Sequence, residues 1–244
     1  MSQPVTAAML VIGDEILSGR TKDKNIGYAA EYLTNMGIDL KEVRVVSDDL
    51  DEIADAVNAL RHKYTYVFTS GGIGPTHDDI TADGVAQAFG LPCEHHPEAL
   101  AILREHYAKT DLDFTEARQR MARTPRGATL IENQVSKAPG FKIGNVHVMA
   151  GVPKIMQSMM DAIGPTLEGG AKVLSKHIDC PVGEGTIGGP LGEIQKKHSE
   201  TMIGSYPKFD GRNITTQIVV RGRDEAQVDA AIADVEAMVA GLTG

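Results

Sequence analysis

A chain of 244 residues with 42% hydrophobic and 23% charged residues, no tryptophan and a formal net charge of −9 has the make-up of a soluble globular protein with one large domain or a domain and a smaller companion. The acidic balance argues against a nucleic-acid-binding surface, which would show a basic stripe, and no apolar run approaches the length of a membrane span. An anionic small-molecule partner therefore needs local help from amides, a metal or a few basic side chains.

The opening MSQPVTAAMLVIGDE lacks a basic region ahead of its short apolar run, so the run reads as a first strand, Ala7 to Ile12, rather than a signal peptide, and the expected location is the cytoplasm. The strand ends in Gly13-Asp14-Glu15. Ligands of open α/β sheets bind beyond the carboxyl ends of the strands, so these carboxylates either share a site with later loops or serve as helix-capping and turn acids. After the polar connection SGRTKDKN, residues 25–36 have helical spacing, with Ile26, Ala29, Ala30 and Leu33 on one face and Gly37 as the stop. Leu40 to Val46 is the second strand, followed by Ser47-Asp48-Asp49. One of these two acids caps the helix carrying Ile53, Ala56, Val57 and Leu60, which leaves the other for a site.

The third strand, Tyr64 to Thr69, runs into SGGIGPTHDDIT at Ser70 to Thr81 and then into an amphipathic segment, Ile80 to Phe89. Gly71, Gly72 and Gly74 open backbone angles closed to other residues and let N–H groups approach a phosphate, helped by the positive end of the next helix. Three glycines after a strand also make any tight turn. Asp78 and Asp79 would repel a bare phosphate, so amides and carboxylates together make most sense if a divalent cation bridges carboxylate and phosphate oxygens. Three strand–loop–helix units, each loop bearing an acid (Asp14, Asp48, Asp79), predict a mostly parallel, three-layer α/β/α sandwich whose loops converge.

Beyond Gly90 a helix is predicted from Pro97 to about Lys109 and another near Glu116 to Ala122. Cys93 and Cys180 are far apart with no CxxC spacing, predicting neither a disulfide framework nor a zinc knuckle, and adjacent His95 and His96 point to different sides and make a poor metal pair. Arg118, Arg120, Arg123 and Arg126 are the densest basic group; such arginines cover a surface or pair with acids, and one or two could meet a second phosphate. A strand at Lys142 to Met149 leads through Gly151-Val152-Pro153 into a helix, Lys154 to Ile163, so this turn is a candidate pocket wall. Met156, Met159 and Met160 share a helical face suited to core or subunit packing. Glu168-Gly169-Gly170 reads as a linker, dividing the chain into residues 1–168 and 171–244. The second part predicts strand (Lys172 to Cys180), helix (Leu191 to Ser199), strands (Met202 to Tyr206, Ile214 to Gly222) and helix (Glu225 to Leu242), a small α+β domain in βαββα order. The glycine-rich Gly183 to Gly192 is expected to be a flexible hairpin or entry loop, since it sits beside no acid cluster.

Taken together, IGDEILSGRTKDKN, VVSDD, SGGIGPTHDDIT, KAPGF and AGVPKIM resemble the molybdopterin-binding-domain superfamily, and within it the competence/damage-inducible protein A family, over about residues 5–168; GEGTIGGPLGEIQ and IGSYPKF look like that family's small middle domain. The resemblance implies a three-layer fold holding a pterin or nucleotide with its phosphates on Ser70, Gly71, Gly72 and Gly74, and with Gly13, Pro75, Thr81, Gly140, Gly151 and Pro153 around the ligand. It implies catalytic roles for Asp48 and Asp79, which match acidic positions of related molybdopterin adenylyltransferases. Asp14, Asp78 and Asp79 would hold a metal of the Mg²⁺ or Co²⁺ type, as in a hydrolase branch similar to pyrophosphatases of ADP-ribose-like dinucleotides. The family's amidase domain, which deamidates nicotinamide mononucleotide, has no counterpart in these residues, so that activity is not expected of them. A homo-oligomer, dimer or trimer, is expected.

Two readings of function follow. In one, the protein is an enzyme: a metal polarises a dinucleotide pyrophosphate for attack by water, or the same groups serve adenylyl transfer to molybdopterin. In the other, the domain holds molybdopterin or a nucleotide and catalyses nothing. The number of acids favours the enzyme, because a pure phosphate binder gains nothing from nearby carboxylates.

Overall fold

The computed structural model describes residues 4–209, 211 and 214–243, and they divide into two compact units, Met1–Gly170 and Ala171–Gly244. Unit 1 is built on a sheet whose order is β2 (Asp39–Val46), β1 (Thr6–Ile12), β3 (Tyr66–Ser70), β8 (Val146–Met149), β7 (Gly140–Ile143) and β6 (Thr129–Ile131). The first four are parallel; β7 runs antiparallel to β8, and β6, antiparallel to β7, returns to the common direction. A two-stranded ribbon, β4 (Cys93–His95) with β5 (Arg123–Pro125), was not foreseen.

The helices are α1 (Asp14–Leu17), α2 (Asn25–Asn35), α3 (Leu50–Arg61), α4 (Thr81–Phe89), α5 (Pro97–Tyr107), α6 (Glu116–Gln119, continued by a 3₁₀ turn Arg120–Ala122) and α7 (Pro153–Ile163). Alternation along β1 explains the three layers. Ala8, Leu10 and Ile12 face a core with Ile53, Val57 and Leu60 of α3 and Val85 of α4. Ala7, Met9 and Val11 face the other, with Ala29 and Leu33 of α2 and Met156, Met159, Met160 and Ile163 of α7. The methionines are thus core residues. A strand buried on both faces reads as a continuous apolar run, as β1 does.

The expected single strand over residues 142–149 is instead the β7–β8 hairpin. Gly144, at φ 55°, makes the turn, and the Asn145 amide pins it by donating to the carbonyls of Arg61 and Tyr64.

Unit 2 has the predicted βαββα order: β9 (Leu174–Cys180), α8 (Glu184–Lys197), β10 (Met202–Phe209), β11 (Ile214–Gly222) and α9 (Glu225–Thr243). Its sheet is antiparallel in the order β10, β11, β9. Ile187 and Leu191 of α8 and Val228, Ala231 and Val235 of α9 bury against Ile218 and Val220. The segment expected to be a flexible loop, Gly183 to Gly192, is the cap and first turns of α8. Ile187, Leu191 and Ile194 follow the 3.6-residue period, and burying that stripe outweighs the poor helix propensity of four glycines and Pro190. Among the described residues no helix is long and apolar enough to cross a membrane.

Candidate nucleotide and phosphate site

The carboxyl ends of β1, β2, β3 and β8 bring their loops together. After β1, the Asp14 N–H donates to Asp48 Oδ2 at 2.9 Å, joining the first loop to the second. Asp48 is available because Asp49 takes the cap of α3, accepting from the N–H groups of Asp51 and Glu52. Burial pushes the Asp48 carboxyl above its ordinary value; the Asp14 N–H pulls it down, and the charges of Asp14, Glu15 and Asp78 push it up again. Four acids from three loops therefore share one field. Asp78 itself is exposed and held below its usual range, chiefly by the nearby polar side chain of Thr76.

In the loop between β3 and α4 the glycines have separate jobs. Gly71 (φ 111°) donates to the Met149 carbonyl at 3.1 Å, and a Cβ there would lie 2.1 Å from the Ile12 carbonyl oxygen. Gly72 (φ 66°) accepts from the Thr81 N–H at 3.0 Å, and its Cβ would meet Thr81 Oγ1 at 2.1 Å. Among the described residues the N–H groups of Gly72, Ile73 and Gly74 have no acceptor within the protein. Successive unpaired amides are the donors from which anion-binding concavities are built, and here they belong to Gly72, Ile73 and Gly74. They line a small cavity of about 10 Å³ together with Asp79, Arg120, Arg123 and Pro139.

Asp79 closes the turn on itself. Its Oδ2 accepts from the Thr76 N–H at 2.8 Å and from the Thr76 hydroxyl at 2.5 Å, and a Cβ on Gly74 would stand 2.6 Å from that same oxygen. Among the described residues none donates a bond to Oδ1. Pro75 is exposed on the loop's rim.

Other expected site residues support the loop from behind. Thr81 is fully buried and its hydroxyl donates to the Gly71 carbonyl. Ser70 is buried, donates to the Ala150 carbonyl and accepts from Asn25 Nδ2 at 2.7 Å. A Cβ on Gly13 would stand 2.5 Å from the Glu15 carboxylate, the mobile end of a side chain, and Gly151 faces Gly71, 3.3 Å from its Cα to a built Cβ. Pro153 opens α7. Gly140 lies in β7, where its missing side chain lets the strand approach Val148.

Asn25 was not singled out from the sequence, yet it clamps two loops: Nδ2 donates to Ser70 Oγ and, at 2.7 Å, to the Gly151 carbonyl. A signal existed. Asn25, Ala29 and Leu33 recur at every fourth residue on the buried face of α2, so a polar residue there had to be satisfied by another element. The arginines divide as follows. Arg123 grips Asp83 with two bonds, Arg126 pairs with Glu94, and Arg118 bonds the Asp113 carbonyl and lies over Tyr107. Arg120 donates to the Asp79 carbonyl at 3.3 Å. Neither His95 nor His96 joins a metal-binding group: among the described residues no three His, Cys, Asp or Glu side chains gather as a ready metal cage.

Comparison with known proteins places this geometry in context. The family model described as "probable molybdopterin binding domain" matches residues 8–169, and that described as "FAD synthase, middle domain" matches residues 172–242. A Saccharolobus islandicus protein is 38% identical over 160 residues, covering 64% of this chain and 61% of its own length. An Aeropyrum pernix protein is 38% identical over 173 residues, covering 69% and 65%. The chain thus spans less than two thirds of the curated relatives it matches. Among solved structures, the protein CinA with unknown function from Thermoplasma acidophilum is 36% identical, covers 66% of this chain and 96% of its own, and superposes with a TM-score of 0.61.

Proposed function

The chain belongs to the probable molybdopterin-binding domain family, and from that premise we propose that unit 1 is a metal-dependent pyrophosphatase of ADP-ribose-like dinucleotides. The observation that carries the reading is the pairing of three free amides, at Gly72, Ile73 and Gly74, with a cluster of acids from the neighbouring loops. Amides alone suit any phosphate. Acids beside them suit a phosphate that arrives with a cation.

The donor set fits such an ion only in one form. Among the described residues no three His, Cys, Asp or Glu side chains gather as a cage, but an Mg²⁺-type ion is ordinarily held by one or two carboxylates with phosphate oxygens and water completing the shell. One or two of Asp14, Asp78 and Asp79, the last through its Oδ1, would hold it. When bound, the ion supplies Lewis-acid polarisation of the pyrophosphate and lowers the pKa of water in its shell. The protein's own part follows from its bonds. The loop amides bind phosphoryl oxygens and stabilise the charge that develops on them. Asp48, held at Oδ2 by the Asp14 N–H, keeps Oδ1 to accept a proton from the attacking water, and its raised pKa suits that task. The match of residues 172–242 to a domain of FAD synthase, an enzyme whose product is itself a dinucleotide pyrophosphate, supports the same ligand class.

The direct test is incubation of purified protein with ADP-ribose, FAD, and ATP plus molybdopterin, each with and without Mg²⁺ or Co²⁺, with products identified by mass. Nucleoside monophosphate released from ADP-ribose only with metal is the expected result.

A second reading, molybdopterin binding or adenylyl transfer, draws on the family description and on Asp79, whose Oδ2 is already taken by Thr76. Asp79→Asn separates a metal-dependent enzyme of either kind from a domain that only binds. If a metal links Asp79 to phosphates, the substitution weakens nucleotide binding in Mg²⁺ and abolishes most turnover. If the loop merely binds an anion, removing a nearby negative charge tightens binding in Mg²⁺ and in chelator alike. Calorimetric titration in both conditions gives opposite signs.

A further inference from the structure

Beside the unpaired amides of Gly72 to Gly74, a cation of the protein's own would add to whatever a bound ion supplies to an anion seated there. Two arginines line the same cavity. Arg123 is spent on Asp83, with which it forms a half-buried ion pair of two bonds. Arg120 is not: among the described residues it has no carboxylate partner, its one bond runs from Nη2 to the Asp79 carbonyl at 3.3 Å, and its Nε is buried without any acceptor. A buried donor left unpaired is costly, and a guanidinium fork matches phosphate oxygens two at a time.

We propose that Arg120 binds the second phosphate of the ligand, the first lying on the amides of Gly72 to Gly74, so that it selects pyrophosphate-bearing nucleotides over monophosphates. The inference rests on the reading that the loop binds a nucleotide phosphate, and it does not require that the nucleotide be hydrolysed.

Calorimetry in Mg²⁺ with AMP and with the α,β-methylene analogue of ADP-ribose, which cannot be cleaved, tests it. Arg120→Gln is expected to lose at least tenfold in affinity for the analogue, about 1.4 kcal/mol, while its affinity for AMP stays within about threefold. Arg120→Lys keeps the charge without the fork and should fall between, which also covers the case of an unfolded Gln variant. Arg126→Gln removes the same charge from an exposed pair with Glu94 and should change neither ligand. Equal losses for both ligands, an undiminished affinity of Arg120→Gln or Arg120→Lys for the analogue, or a wild type that binds no analogue would each overturn the proposal. Analogue binding that depends on Arg120 with no cleavage of ADP-ribose by wild type would sink the hydrolase reading alone.

Discussion

Two stretches of this protein are rich in glycine and physically opposite. In the loop from Gly71 to Gly74, every missing side chain is answered by an atom: the Ile12 carbonyl at Gly71, the Thr81 hydroxyl at Gly72 and the Asp79 carboxylate at Gly74. In α8, a Cβ built on Gly185, Gly188, Gly189 or Gly192 meets nothing within 4 Å. The first set is required by the backbone and by close approach; the second is tolerated because it faces away from the buried stripe of Ile187, Leu191 and Ile194. Glycine density by itself therefore predicts neither a loop nor a site. What stands where the Cβ would be decides.

The sharpest way to break this contrast is Gly71→Ala. The residue sits at φ 111° and its Cβ would be 2.1 Å from a carbonyl oxygen of β1, so strain and overlap add, and a loss of about 3 kcal/mol is expected. Urea unfolding measures it; a loss under about 0.5 kcal/mol would mean that the loop is plastic and the comparison empty. Gly72→Ala has the same defect, at φ 66° against Thr81, which makes it a poor probe of phosphate binding because fold and site fail together.

Gly74→Ala is cleaner. Its φ is ordinary and its Cβ would press only on the Asp79 carboxylate, at 2.6 Å, the far end of a side chain that can turn. Stability should change by less than about 1 kcal/mol, while displacement of Asp79 lowers metal-dependent kcat/KM at least tenfold, about 1.4 kcal/mol of transition-state stabilisation. Unchanged turnover in a folded variant would remove Asp79 from the chemistry.

Asp48→Asn reverses the usual sign. Because burial raises the Asp48 pKa, the folded state disfavours its charge at neutral pH, and that penalty is relieved as pH falls through the folded value toward the ordinary one. Asparagine keeps an oxygen for the Asp14 N–H without the charge. The variant should therefore melt at or above the wild-type temperature, by a gain of no more than about 1 kcal/mol given partial solvent screening, and lose activity. A fall in melting temperature would show that the carboxylate supports the fold rather than the reaction.

These contrasts also show what could be read from residues alone. The division of Asp48 and Asp49 was legible because capping is local: one acid must satisfy the N–H groups opening α3, and only one can. The three layers were legible because β1 is apolar on both faces and its neighbouring helices on one. The β7–β8 hairpin was not foreseen, since Gly144-Asn145 interrupts an apolar run whose two halves have the same character, and only pairing distinguishes one long strand from two short ones. Asn25 escaped, and Arg120 was not told apart from the three other arginines of its group, for a similar reason. The clamp exists only once Ser70 and Gly151 are neighbours, and a free arginine is recognised only when Arg118, Arg123 and Arg126 have been assigned their partners.

The smallest effect sharpens the other side of the comparison. Gly188 lies within α8, exposed, at a helical position where a methyl group meets open space. Gly189 would be a worse choice, because it precedes Pro190 and a Cβ there meets the proline ring. Gly188→Ala restricts the unfolded chain and improves helix propensity without touching a neighbour, so it should stabilise the protein by about 0.5 to 1 kcal/mol. Nucleotide affinity and turnover should stay unchanged, since no residue of the candidate site lies in this helix. Unfolding of wild type and variant, followed by helical circular dichroism, measures the gain. A destabilisation would show that the bare face of α8 needs its glycines, in which case that face is covered by something in the working protein and the two glycine-rich stretches are less different than their surroundings suggest.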